Sequence, residues 1–264
     1  NESTWIITAS YDFEDSNRMY PYYSGESYLY MHDADVTTVA VDGDGDAQGF
    51  QLGYVYYSLN VDMNNTTISG LATMQGAMSY GYRSGYALDF FTVTNSTFSH
   101  YKGLDTTSQN VVQNNMQCIR SSGGDGNVIS DNTFIDCPFG VSVLRSPYHY
   151  THQSSEVGSD NITISNNVFE DGGECADVWF QQNNEVQGAT ITDNEFNPSP
   201  GANAATSAHA ILIYSGNTKD ILIQDNTAVG GDDAFYLQNI DNFVVDGNTI
   251  IGNGDPTATG IYVD

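Results

Sequence analysis

The second half of the chain repeats one alternation of apolar and polar positions. In each copy, β-branched residues occupy every second position, as at Ile162 and Ile164 or Ile221 and Ile223, and Asn, Asp or Gly interrupts the run. This period of two predicts short strands with one apolar face. One copy cannot bury that face by itself, so the repeat predicts an elongated stack of coils. The clearest copies span residues 110–119, 127–136, 161–171, 188–197, 220–231 and 242–252.

Each copy carries an Asn between its two strands. Asn tolerates the left-handed backbone of a tight corner, and its amide can hydrogen-bond to the Asn one coil away. We therefore expect one row of corner residues, separated by 17 to 35 positions, with bare coils at the short separations and loops at the long ones. The predicted row is Asn65, Ser96, Asn115, Asn132, Asn167, Asn194, Asn226 and Asn248.

This repeated pattern of two short strands joined at an Asn resembles the repeat of right-handed parallel β-helices, which include pectate-lyase-like enzymes, phage tailspikes and surface proteins of archaea and bacteria. The resemblance implies an all-β solenoid and a single domain over residues 1–264. Residues 1–60 would be less regular, Tyr-rich coils, although 36–53 also resembles a first coil. Residues 61–264 would form regular coils, with loops at 145–160 and 197–208 that could wall a groove. The spacing predicts nine to eleven coils. The fold leaves function open, because one β-helix architecture hosts unrelated activities.

The charge balance narrows the class of partner. The chain has 33 acidic and 6 basic residues and a net charge of −27. Such a surface repels nucleic acid and anionic membranes, and it suits an extracellular or high-salt, halophilic setting in which salt screens the repulsion. No stretch approaches the roughly 20 apolar residues of a membrane span. The expected location is extracellular, on a cell or virion surface.

Cysteines and sequons fit a secreted protein. Three cysteines are an odd number, so one would be free or intermolecular after one bridge. Cys118 and Cys137 lie on successive copies, and Cys175 is the third candidate, with the pairing left open. N-glycosylation candidates with the Asn-x-Ser/Thr pattern are Asn1, Asn64, Asn65, Asn95 and Asn161.

Two sets of residues are weak catalytic candidates. Asp232 and Asp233 in GGDDAF resemble the acid and base pair of polygalacturonase-like hydrolases, but the other motifs of that family are absent and plain turn aspartates are the alternative. Arg120 and Arg145 could serve as the base of a lyase beside Ca²⁺, although two scattered arginines are little evidence for it.

Metal binding is the third chemistry considered. Asp42, Asp44 and Asp46 alternate as in the first half of an EF-hand, but Gly53 stands where the closing Glu belongs. A looser Ca²⁺ site or an ordinary turn remains. His149 and His152 lack a third zinc ligand nearby. No cofactor is expected otherwise.

The predicted ends of the stack carry no capping helix. The stretches 3–15 and 260–264 both look like strands, and an uncovered strand edge is a template for pairing with another chain. The expected function is therefore an extracellular structural subunit that self-associates through its terminal coils, as in a filament, sheath, surface layer or virion appendage. Alternatives are a polysaccharide hydrolase or lyase, and a glycan-binding adhesin or tailspike-like module. The many N-terminal tyrosines suit ordinary strand faces, sugar stacking or a neighbouring subunit.

Overall fold

The computed structural model confirms a parallel β-helix. It describes residues 27–38, 59–70, 91–99, 117–122, 124–137, 139–144, 159–170, 176–180, 186–197, 209–230, 233–252 and 259–264. Within these residues every strand pair is parallel, and none of them is helical. From residue 117 onward, each coil passes through three faces in the order face 3, face 1, face 2, and then enters the next coil.

Faces 1 and 2 run through all described coils. Face 1 consists of β1 (Ser27–His32), β3 (Leu59–Asn64), β5 (Phe91–Thr94), β9 (Val128–Ser130), β13 (Thr163–Ser165), β16 (Thr190–Thr192) and the second parts of β18 (His209–Gln224) and β20 (Asp233–Asp246). Face 2 consists of β2 (Asp35–Thr38), β4 (Thr67–Gly70), β6 (Thr97–Ser99), β10 (Thr133–Ile135), β14 (Val168–Glu170), β17 (Glu195–Asn197), β19 (Thr227–Val229) and β21 (Thr249–Ile251).

Face 3 is described from the fourth of these coils onward. It consists of β7 (Gln117–Ser122), β11 (Phe139–Leu144), β15 (Ala176–Phe180), the first parts of β18 and β20, and β22 (Thr259–Val263). The long strands β18 and β20 turn the corner between faces 3 and 1 and join them into one twelve-stranded sheet. At the same corner β8 (Gly124–Asp125) pairs with β12 (Ser159–Asp160).

Inward side chains form columns that run through the stack. One of them contains a stack of four phenylalanine rings with centroid separations of 5.3, 4.7 and 4.9 Å. Aliphatic columns fill the rest of the core, and their members are almost completely buried. The alternation seen in the sequence is therefore the inside–outside alternation of each strand. The stacked rings are Phe98, Phe134, Phe169 and Phe196.

The corner between faces 1 and 2 confirms the amide column and corrects its geometry. Asn132 donates from Nδ2 to Asn167 Oδ1 (3.0 Å) and to the carbonyl of Val93 (2.9 Å), and its backbone N–H donates to the same Oδ1. The pattern repeats through Asn194 and Asn226 to Asn248. These asparagines are buried or nearly so, and all their amide hydrogens are used.

The left-handed residue of each corner is the one before the buried asparagine. Asp131, Asn166, Asp193 and Asp225 have φ between 54° and 59°, and all four are exposed. The prediction that one residue is both left-handed and a member of the amide column was therefore wrong. The left-handed residue makes the bend, and the residue after it has a strand-like backbone that points its side chain into the core. Asn65 is left-handed and exposed, and Thr66 takes the buried position. Asn115 lies outside the described residues.

The column ends in hydroxyl residues on its N-terminal side. Ser96 donates its backbone N–H to Asn132 Oδ1 (2.9 Å), and its Oγ accepts the backbone N–H of Thr66 (3.1 Å). A serine or threonine oxygen can therefore continue the acceptor role of the amide oxygen in this row.

Candidate functional site

Two of the catalytic candidates, Arg120 and Asp233, lie on strands of face 3. Arg120 lies on β7 and Asp233 begins β20, and β11, β15 and β18 lie between them. At about 4.8 Å per strand, these two positions are nearly 20 Å apart. Arg120 and Asp233, which were candidates for two different reactions, are therefore not neighbours in the stack.

Several sequence-derived candidates lie outside the described residues. This holds for the second catalytic aspartate, the second arginine, the acidic turn, the histidine pair and nearly all of both loops, so those hypotheses stay predictions. Among the residues that the structure does describe, no group of three His, Cys, Asp or Glu side chains could hold a metal ion. The residues concerned are Asp232, Arg145, Asp42, Asp44, Asp46, His149, His152, Cys175, Asn1 and the segments 145–158 and 198–208.

Aromatic rings on the outer side of face 3 form two stacks. Phe139 lies on Trp179 with centroids 4.6 Å apart, and Tyr236 lies on Tyr262 at 4.7 Å and 14° between planes. Because the rings stack from strand to strand, they cover each other's faces and turn edges outward. Such stacks stabilise neighbouring coils, but they do not offer the flat row of open ring faces on which sugars stack.

A buried hydroxyl lies beside the first stack. Ser142 is paired in register with Arg120 on one side and with Trp179 on the other. It lies on the outer side of β11, because its neighbours Val141 and Val143 face the core. Its Oγ is fully buried and has no hydrogen-bond partner. A buried polar atom without a hydrogen-bond partner lowers the free energy of unfolding. Ser142 therefore destabilises the folded chain unless another molecule supplies a hydrogen bond.

Asp177 is a buried carboxyl, and it faces the core. Its row in neighbouring coils holds Gly140, Ala210 and Ala234, and a Cβ on Gly140 would lie 2.4 Å from the Phe169 ring. Burial raises the pKa of Asp177 to about 8 by desolvation. The carboxyl is therefore protonated at neutral pH, and its position away from the outer surface removes it from any site on face 3.

Cys118 and Cys137 form a disulfide between a face 3 strand and the corner that follows β10. Their Cα atoms are 6.0 Å apart, and both side chains are buried. The bond joins two successive coils across 19 positions. Disulfides form and persist mainly in oxidising compartments.

The described sequon asparagines differ in their surroundings. Asn64 donates its amide to Thr94 Oγ1 at 2.6 Å, and the hydroxyl of its sequon, Thr66, is buried in the corner column. Asn65 and Asn95 are exposed at left-handed corners on successive coils. Asn161 is also exposed at such a corner, and its Oδ1 occupies the space beside Gly188 where a Cβ would stand.

The last described coil exposes residues that belong to the core. Ile261 and Val263 on β22 continue the columns of Phe235 and Leu237 by register, yet they are 41% and 54% exposed while those two residues are buried. Phe243, Val245 and Ile250 in the same region are half-buried. Sequence reasoning predicted a strand and an uncapped end of the stack here. Which apolar residues are exposed follows from the register of β22 and has no local sequence signal.

Of three comparisons with known proteins, one supports the fold and the other two found no match. The family model described as "Right handed beta helix region" matches residues 156–264. No curated protein matches the chain. No solved structure matches it either. In the described residues, no helix is long and apolar enough to cross a membrane.

Proposed function

We propose, from a fold that the right-handed β-helix family model matches over residues 156–264, that the protein is an extracellular structural subunit of a self-assembling filament, sheath, surface layer or virion appendage. The exposed core of the last coil carries the proposal. Ile261 and Val263 stand in columns whose preceding members, Phe235 and Leu237, are at most 1% exposed. The partner that we propose to cover them is a second copy of this chain.

The chemistry of this surface favours a protein partner that adds a coil. Its strand edges carry backbone N–H and C=O groups that can pair with a further strand. Its side chains are apolar and contiguous in the stack, as at Phe243, Val245 and Ile250. Each described coil already makes this kind of contact with its neighbours, so stacking on another copy needs no new type of interface.

The charge of the chain predicts how association depends on salt. Two subunits of net charge −27 repel each other at low ionic strength, and salt shortens the range of that repulsion to about 3 Å at 1 M. Burial of apolar surface is not weakened by this screening. We therefore expect the subunits to associate more strongly as salt is raised.

The experiment is sedimentation and electron microscopy of chain 1–264 at high concentration in low and high salt. We expect concentration-dependent oligomers or filaments in high salt. Ile261→Asp and Val263→Asp should abolish them, because each would place a charge in the contact. Val229→Asp adds the same charge at an outward, 37% exposed position on face 2 and should leave association intact.

Two results would contradict this function. One is a parent chain that stays monomeric in high salt. The other is association that the variants at Ile261 and Val263 do not weaken, which would place the contact elsewhere. Further coils of the same polypeptide could also cover this surface, and a monomeric parent chain would favour that explanation.

A further inference from the structure

The outer side of face 1 carries a regular patch of hydroxyl groups, here called the hydroxyl array. It spans four successive strands, β5, β9, β13 and β16, and takes two outward positions from each. Seven of the eight side chains are threonine or serine, and the other is valine. The members are Thr92, Thr94, Val128, Ser130, Thr163, Ser165, Thr190 and Thr192.

The array repeats in two directions. Its members pair one to one across the strands, without a register shift, in the rows that contain Thr163 and Ser165. Neighbouring strands are about 4.8 Å apart, and positions two apart on one strand are separated by about 6.6 Å. Inward partners such as Val93, Ile129, Ile164 and Ile191 are fully buried, so the sheet beneath the array is anchored to the core.

The hydroxyl groups of the array are available to a partner outside the chain. Thr94 Oγ1 accepts the Asn64 amide (2.6 Å) and donates to the Met63 carbonyl (3.5 Å). The other six hydroxyls have no intramolecular hydrogen bond within the described structure, and all eight side chains are half-buried. No array position is charged, although the chain carries a net charge of −27.

We propose that the hydroxyl array binds the surface of ice. The two repeats place the hydroxyls of the array on a regular two-dimensional grid, and ice presents a periodic surface of oxygen atoms to which several hydroxyls of such a grid can hydrogen-bond together. Threonine χ1 is restricted by β-branching, and the strand holds its direction. Little side-chain entropy is therefore lost on binding, as in other preorganised surfaces. The absence of charge matters because an ion would bind its own disordered hydration shell.

The array and the end of the stack are separate surfaces. The array lies on the side of the coils between β5 and β16, whereas the last coil ends the stack at β20, β21 and β22. Ice binding and end-to-end association can therefore be tested independently, and failure of one leaves the other standing.

The experiment measures thermal hysteresis and the partition of the purified full chain into slowly growing ice. We expect a measurable freezing-point gap and enrichment in the ice fraction. The double variant Thr163→Lys and Thr190→Lys should remove most of both, because two long charged side chains would disrupt the lattice match. Circular dichroism and the melting temperature show whether the variant keeps its fold.

The matched control is Thr97→Lys with Thr133→Lys. These residues are register partners on the outer side of face 2 in interior coils, and both are half-buried like Thr163 and Thr190, so the charge change and strand context are the same. This control should keep the activity of the parent chain. Exclusion of the parent chain from ice, or equal loss in both double variants, would overturn the proposal. Binding to crystalline cellulose or chitin without any hysteresis would also overturn it, in favour of a solid polysaccharide.

Discussion

Two successive coils near the C-terminal end have similar sequence patterns and very different burial. In the first coil, Ile221, Ile223 and Ala228 are at most 1% exposed. Their register partners in the next coil are Phe243, Val245 and Ile250, and each of these is only half-buried. The alternation is the same in both, so the sequence of one coil decides which side chains face inward. The neighbouring coil decides how much water they lose.

Truncating one register pair gives the largest expected difference between these coils. Ile223→Ala removes a fully buried side chain with coils on both sides and should cost about 2–5 kcal/mol. Val245→Ala, at the paired position in the last coil, should cost less than about 1.5 kcal/mol because part of the cavity is open to solvent. Denaturant unfolding with circular dichroism measures both. Equal losses would mean that the last coil is as well packed as the interior.

Removing the disulfide tests whether stability is local in the stack. In the loop-entropy model, closing about 20 residues is worth about 3 kcal/mol. Cys118→Ser with Cys137→Ser should therefore lower the unfolding free energy of the coils that contain β7 and β11 by about this amount. Hydrogen exchange should rise in those strands and stay unchanged in β21 and β22. A uniform rise along the chain would instead indicate that all coils unfold together.

The asparagine column predicts a smaller difference of the same kind. Asn194 accepts two hydrogen bonds from Asn167 and donates from Nδ2 to Ile164 and Asn226. Asn194→Ala should cost about 2–3 kcal/mol, since several buried partners lose their bonds. Asn248 is half-buried at the end of the column, so Asn248→Ala should cost about 1 kcal/mol. Melting temperatures of the two variants give the comparison, and the opposite order would contradict it.

Asp177 extends the comparison to a charged group. Burial raises the pKa of Asp177 to about 8, so its favourable contribution is complete below about pH 4 and is lost as the pH rises towards 8. The slope contributed by this residue is at most about 1.4 kcal/mol per pH unit. Subtracting the stability profile of Asp177→Asn isolates this slope from the other carboxylates.

The same row in the last coil supplies the control. Gly260 is exposed there, and a Cβ would make only ordinary contacts, the nearest at 3.8 Å. Gly260→Asp should therefore leave the pH profile of stability unchanged. A profile for Asp177→Asn that matches the parent chain between pH 4 and 8 would show that Asp177 ionises freely in the folded protein.

The sequence predicted what local periodicity determines. Alternation at Ile162 and Ile164 predicted strands, and the recurring Asn predicted the amide column, because both signals repeat in every coil. The left-handed residue was misplaced by one position, because Asn and Asp both tolerate that conformation and only the burial of Asn167 distinguishes it from Asn166. The hydroxyl array escaped notice, because Thr and Ser on strands are common and become an array only when the register is known.

The candidate site was less predictable than the fold. Arg120 and Asp233 were named as chemical groups, but the number of strands between them follows from the stacking order and not from their separation along the chain. Asp177 carried a usable signal, an acidic residue within the apolar strand ADVWF, and it was missed. The exposed apolar side chains of the last coil had no such local sequence signal, since these residues are ordinary members of the repeat.

The asparagine column also gives the stack an electrical direction. In each amide, Oδ1 faces the preceding coil and one Nδ2 hydrogen faces the following coil, from Asn132 through Asn226. The amide dipoles therefore add head to tail, and each bond polarises the next by on the order of 10–30%. The positive end lies at Asn248, beside the last coil. The second Nδ2 hydrogen of Asn248 is donated to the Asp246 carbonyl of its own coil (3.0 Å). A coil that extends the column must bring an oxygen that replaces this acceptor, so the column favours one orientation of the added coil over its reverse.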